Sequence, residues 1–172
     1  MIDSKPDGQT VLIAPSALGV RSGIDKKLPY DSVKELAGVS LIGLTPSFLI
    51  VSNDPGVTTL QQLANRAKGS KEKIFYASAG IGSTAHLHAA LFAKNYGFEA
   101  VHVAYKGTPE AVIDTIAGRV TYVFAPGPNA LPLAKDGKAK ILGTTSKEGQ
   151  IFASTLNPMP ELIRDDIGDD WF

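Results

Sequence analysis

The chain has 172 residues, 44% of them hydrophobic and 20% charged, a composition that fits a globular domain with a core and excludes a fibrous or disordered chain. Basic and acidic side chains number 17 each, so the formal net charge is zero and no nucleic acid or anionic membrane is expected as a partner. The lack of cysteine excludes disulfides, thiol catalysis and Cys-ligated zinc, and no apolar run reaches the ~18–20 residues of a membrane span.

Met1-Ile2-Asp3-Ser4-Lys5 lacks the apolar centre of a signal peptide, and none is expected in this chain. Gly8 to Ala14 reads as a short buried strand closed by Pro15-Ser16, and Ala17 to Asp31 as loop. Val39–Leu44 and Phe48–Ser52 are extended runs broken by Thr45-Pro46, and Asn53-Asp54-Pro55-Gly56 is a turn. Thr58 with Gln61 has capping-box spacing, and Leu60, Leu63, Ala64 and Ala67 recur at helical period until Lys68-Gly69-Ser70. A strand over Lys73–Ala77 empties into a small-residue loop, and a helix follows from Ser83 to Tyr96, ended by Gly97. Ala100–Ala104 is the next strand. Thr108 then caps a helix with Pro109 at its first position and Ala111, Val112, Ile113 and Ile116 on its apolar side. Val120–Phe124 reads as strand, Asn129–Lys135 as a short helix and Lys140–Thr144 as strand. After Ser146 the order weakens toward the acidic run Asp165–Asp170 and Trp171-Phe172.

Strand alternating with helix from Phe48 to Thr144 predicts an α/β fold, its sheet mostly parallel and covered on both faces. Ligands of such sheets bind beyond the carboxyl ends of the strands, where three loops lie: Ser78–Ser83, Tyr105–Thr108 and Ala125–Asn129. The first opens a helix, whose leading amides lack partners and whose dipole is positive there, so it is a candidate anion site. Two readings stand side by side. In one, backbone amides and the hydroxyls of Ser78, Ser83 and Thr84 capture a carboxylate. In the other the loop is a tight turn and Ser83 an N-cap. Tyr105–Thr108 has the same pair of readings, with Lys106 either adding positive charge for an anion or sitting in water.

Other chemistries fit poorly. Ser83 and His86 are three apart, yet no Gly-x-Ser-x-Gly elbow or orienting acid accompanies them, so no catalysis is expected. Gly80-Ile81-Gly82 lacks the third glycine of a dinucleotide loop. The three histidines, His86, His88 and His102, do not have the spacing of a metal set, and the first two point to different helix faces. The Asp165–Asp170 run lacks the alternation of a calcium loop. No cofactor or metal is expected.

One ordered set of short motifs is more specific than any of them alone. It runs Pro6-Asp7-Gly8, Lys27-Leu28-Pro29-Tyr30-Asp31 and Val39-Ser40-Leu41, then Tyr76-Ala77-Ser78-Ala79-Gly80-Ile81-Gly82-Ser83 with His86-Leu87. It continues with Val103-Ala104-Tyr105-Lys106-Gly107, Phe124-Ala125-Pro126 with Ala130-Leu131-Pro132, Lys135-Asp136-Gly137-Lys138 and Thr144-Thr145-Ser146. This set resembles the tripartite tricarboxylate transporter receptor family, the Bug or TctC-like periplasmic solute-binding proteins.

The resemblance implies a type II-like periplasmic-binding-protein fold: two lobes that close on a small carboxylate, without catalysis, for delivery to a membrane permease. It implies that residues 1–46 are a partial domain 1, 47–145 a complete parallel-sheet domain 2, and 146–172 the return crossover and a domain 1 segment cut short. It places the chain after the family's first strand, Gly-rich loop and helix, so the chain is expected to be truncated at both ends. It implies a ligand site at Ser78, Ala79, Gly80, Gly82, Ser83 and Thr84, with Lys106, Gly107 and Thr108 alongside and Ser16 approaching from domain 1. Hinges are expected near Thr45-Pro46 and Thr144–Ser146. Ala79 stands where the family often has Ser, and Ala125-Pro126-Gly127 where other members carry Asp-Asn, which favours a ligand without an amine. The alternative is a remnant that binds nothing small and acts as an interaction module, with a homodimer covering its exposed lobe.

Overall fold

The computed structural model of the chain describes residues 2–25 and 27–145. Five strands form one sheet in the order β3-β2-β4-β1-β5. In chain order the elements are α1 (Ala17–Ile24), β1 (Ser47–Ser52), α2 (Leu60–Gly69), β2 (Phe75–Ser78), α3 (Thr84–Tyr96), β3 (Val101–Ala104), α4 (Thr108–Ile116), β4 (Tyr122–Pro126), α5 (Gly127–Lys135) and β5 (Ala139–Thr144). β2 pairs parallel with β3 and β4, whereas β1 is antiparallel to both β4 and β5, so four strands share one direction and β1 opposes them. The mostly parallel sheet expected from the sequence therefore has one reversed strand, second from the β5 edge.

The run Phe48-Leu49-Ile50-Val51 is apolar throughout because both faces of β1 are covered, which removes the alternation of a half-exposed strand. Phe48 and Ile50 join Ala77, Val123 and Ala125 beneath α4 and α5, through Ala111, Val112 and Ala130. Leu49 and Val51 join Tyr76, Tyr122 and Phe124 beneath α2 and α3, through Leu60, Leu63, Ala85, Ala89 and Phe92. Burying each such large side chain stabilises the fold by roughly 1.5–3 kcal/mol.

Some boundaries differ from expectation for local reasons. The capping box of α2 uses Thr59 and Gln62, one residue later than Thr58 and Gln61: Thr59 Oγ1 accepts from Gln62 N at 3.2 Å while Gln62 Oε1 accepts from Thr59 N at 3.2 Å. Gly107, extended in backbone, is the N-cap of α4, and Thr108 is its first helical residue. Ala17–Ile24, read as loop, is helix α1, although it buries no residue of its own. Gly8–Ala14 and Val39–Leu44, read as strands, have no strand partner among the described residues and are exposed along their whole length. Their apolar pattern is strand-like, but a strand needs a neighbour for its backbone groups. Expectations about residues 146–172, including Asp165–Asp170 and Trp171-Phe172, lie outside the described residues.

Candidate functional site

The four codirectional strands end at one edge of the sheet. There β2 lies between β3 and β4. The helix after β2, α3, packs on one face, while α4 and α5, which follow β3 and β4, pack on the other. Connections that leave adjacent strands toward opposite faces open a crevice at the strand end between them. Ser78, the last residue of β2, sits at that point and is fully buried.

From Ser78 the chain turns on small residues. Ser78 Oγ accepts from Gly80 N at 3.0 Å and lies 3.1 Å from Gly80 O, and Gly80 O accepts from Ser83 N at 3.2 Å and Ser83 Oγ at 2.7 Å. Gly80 and Gly82 have φ of 109° and 79°, left-handed positions that glycine adopts without strain. Ser83 then caps α3, its Oγ accepting from His86 N at 3.3 Å. The hydroxyls of Ser78 and Ser83 are thus engaged inside the loop. The amides of Thr84 and Ala85, the first two of α3, have no partner among the described residues. No acidic residue stands in the first turn to neutralise the helix end.

The structure brings most of the expected site residues to this edge. Ser16 Oγ lies 3.1 Å from Thr84 Oγ1, so α1 begins against the start of α3. Further along α1, the Arg21 stem lies over the loop, 3.2 Å from where a Cβ on Gly82 would stand. Tyr105 N donates to Ser78 O at 2.9 Å, which fastens the β3 loop, and with it Lys106, Gly107 and Thr108, beside the β2 loop. The N-terminus of α4 has no side-chain cap, and neither has that of α5 after Pro126. Lys106 is exposed and forms no ion pair among the described residues. Ala79 offers the site only backbone.

Beneath the loop lies a cluster that spacing could not announce, because its members come from three elements. Ser78 Oγ is 2.6 Å from His102 Nε2, and Gly82 N donates to His86 Nδ1 at 3.3 Å. The two imidazole rings are 4.3 Å apart between centroids, and both stack on Tyr76, at 6.1 and 5.1 Å. Burial lowers the pKa of both histidines, and His86 lowers that of His102 further. Ser83 and His86 share no side-chain contact, since Ser83 Oγ meets the His86 backbone instead. Ser78 does face His102, but it is 0% exposed and no carboxylate orients that ring among the described residues, so it does not present a nucleophile to a substrate. No three His, Asp or Glu side chains converge as a metal set among the described residues. No described helix is long and apolar enough to cross a membrane.

Residues 1–164 match the family described as Tripartite tricarboxylate transporter family receptor, TctC. A relative in Pseudomonas sp., the UPF0065 protein in the tcbD-tcbE intergenic region, is 38% identical over 114 residues, covering 66% of this chain and 34% of that protein. Rpa4515 of R. palustris, solved with adipate, is 30% identical and superposes with a TM-score of 0.64 over 69% of this chain and 40% of its own. The periplasmic binding protein BugD is 26% identical with a TM-score of 0.64, over 70% and 40%. The chain thus spans about a third to two fifths of the length of these three proteins. The neighbours are type II periplasmic binding proteins, and members of the family are periplasmic solute-binding receptors rather than enzymes. With residues 1–164 matched, the chain belongs to the tripartite tricarboxylate transporter receptor (TctC) family.

Proposed function

We propose that this chain binds a small organic carboxylate at the Ser78–Thr84 loop and delivers it to the permease of a tripartite tricarboxylate-type transporter, in the periplasm and without turnover. One carboxylate accepts from the free amides of Thr84 and Ala85, held by the turn through Ala79, Gly80, Gly82 and Ser83. Gly107 and Thr108 present the second helix end, Lys106 supplies positive charge, and Ser16 and Thr84 offer hydroxyls. The observation that carries this reading is the N-terminus of α3 beside the end of β2, where two amides have no partner among the described residues and no acidic residue stands in the first turn. The binding of adipate by Rpa4515 supports it. Each charge-assisted hydrogen bond contributes roughly 1.5–3 kcal/mol, so two or three of them supply about 3–9 kcal/mol before the cost of immobilising the ligand.

Titration of the chain with adipate in a calorimeter tests this. Saturable binding is expected, and Gly82→Val is expected to weaken it about tenfold or more, because a β-branched residue is strained at that φ and its Cβ would press on Arg21. Absence of heat from the unaltered chain, or equal affinity in the variant, defeats the reading.

A second reading has its own observation. Ile13 and Ile42 are 78% and 77% exposed within two apolar runs that lack strand partners among the described residues, and such edges favour pairing with another copy. If the chain is only an interaction module, light scattering after size exclusion will show a dimer that adipate leaves unaltered. A monomer rules this reading out.

A further inference from the structure

The hydroxyls and amides that shape the Ser78–Thr84 loop are tied to two histidine rings, one from α3 and one from β3. His86 Nδ1 accepts from Gly82 N at 3.3 Å, and only an unprotonated Nδ1 can accept. His102 Nε2 lies 2.6 Å from Ser78 Oγ, the same oxygen that accepts from Gly80 N. The two glycines that make the turn are therefore each held, directly or through one hydroxyl, by an imidazole. We propose that the neutral pair His86–His102 is the lock that holds this loop in its anion-binding shape, and that protonation of the pair in mild acid opens the lock and releases the carboxylate. The release rests on the reading of the loop as the carboxylate site, whereas the lock itself does not.

The surroundings set the sign. Tyr76 of β2 stacks on both rings, Tyr122 of β4 stacks behind Tyr76 at 5.7 Å, and Arg21 of α1 lies over Gly82. No carboxylate pairs with either ring among the described residues. A proton on His86 Nδ1 removes the acceptor from Gly82 N–H and adds positive charge where the α3 dipole is already positive. A second proton, on His102, sets like charges 4.3 Å apart between ring centres with no carboxylate among the described residues to offset them. The lowered pKa of both rings agrees with an environment that resists charge. An imidazolium would also attract the bound anion through space, so the direction of the pH profile separates the two effects: an opened lock weakens binding in acid, and simple attraction strengthens it.

The test uses the full chain and adipate, titrated from neutral pH to below the ordinary histidine value of 6.5, within the range where circular dichroism stays native. The companion is the double variant His86→Asn, His102→Gln. Its side-chain amides supply the same acceptor and donor without titrating, and it controls for protonation of adipate itself. The unaltered chain is expected to lose about tenfold or more in affinity toward acid, while the double variant keeps a flat profile. A rise in affinity, or the same loss in the double variant, overturns the release. Nuclear magnetic resonance without ligand tests the lock alone: the amide signals of Gly80 and Gly82 are expected to move with the histidine titration, and only in the unaltered chain. Static amides overturn the lock whatever adipate does. Moving amides with no adipate binding at any pH overturn the carboxylate reading and leave the lock standing.

Discussion

Replacing Tyr122 with alanine is expected to lower the unfolding free energy by about 3–5 kcal/mol, a large share of what a domain of this size has to lose. Tyr122 is 0% exposed and lies in the sheet strand that borders both β2 and β1. Its ring meets Phe92 of α3 and Phe98 edge-on, at 5.5 and 6.2 Å, and Tyr76 of β2 in a stack. Its hydroxyl donates to Ala89 O of α3 at 3.0 Å, and burial holds the phenol neutral to well above its ordinary range. One side chain therefore ties α3 to two strands, and alanine would leave a cavity that the rigid rings around it cannot close. Tyr122→Phe keeps the packing, loses one hydrogen bond and is expected to cost only about 1 kcal/mol. Urea unfolding of the three proteins checks the order. If Tyr122→Ala costs no more than Tyr122→Phe, the ring does not carry the packing between α3 and the sheet. Because Tyr76 rests on Tyr122 and carries both site histidines, the alanine variant is also expected to loosen the loop before it unfolds the chain.

Helix α3 and its loop are legible in the sequence because every signal there is local. Ser83 sits at the cap, Gly97 at the end, and two glycines stand where the turn needs left-handed backbone. The reversal of β1 is not legible, since an all-buried strand reads the same in either direction, and register with β4 is set by contacts more than seventy residues away. Val39–Leu44 misleads for a related reason: β-branched and apolar residues declare strand propensity, but only a partner makes a strand, and that partner is not among the described residues. Helix α1 escapes notice because two glycines interrupt it, no side-chain cap opens it and it buries no residue, and it is positioned instead by contacts at Thr84 and Gly82. In the site itself, the amides that remain free can be inferred from the helix start. The pairing of Ser78 with His102 cannot, because it spans 24 residues and two strands. The hydroxyls of Ser78 and Ser83, read as candidate ligand contacts, are occupied in holding the turn, whereas that of Thr84 meets Ser16.

His88 separates folding from binding, because it lies one turn beyond the loop and faces the core. It is 5% exposed, its ring packs edge-on against Phe124 at 5.6 Å, and its Nδ1 has no partner among the described residues. Burial lowers its pKa from 6.5 to about 4. The unfolded chain binds a proton at the ordinary value while the folded chain refuses it until the lower one. Between the two the unfolded state holds more protons, so stability falls as pH falls and levels off once the folded ring titrates. The difference corresponds to about 3 kcal/mol. His86 and His102 shift in the same direction and steepen the same slope. His88→Leu is therefore expected to be neutral or stabilising at neutral pH, since it removes an unpaired polar atom and suits a helix. Near the lower pKa it should be more stable than the unaltered chain by most of that difference. Urea unfolding at both pH values measures it, and equal acid loss in the two proteins would show that His88 is not the group responsible. Adipate affinity at neutral pH should not follow this substitution, whereas it should follow any that disturbs His86 or His102, because only those two rings touch the loop.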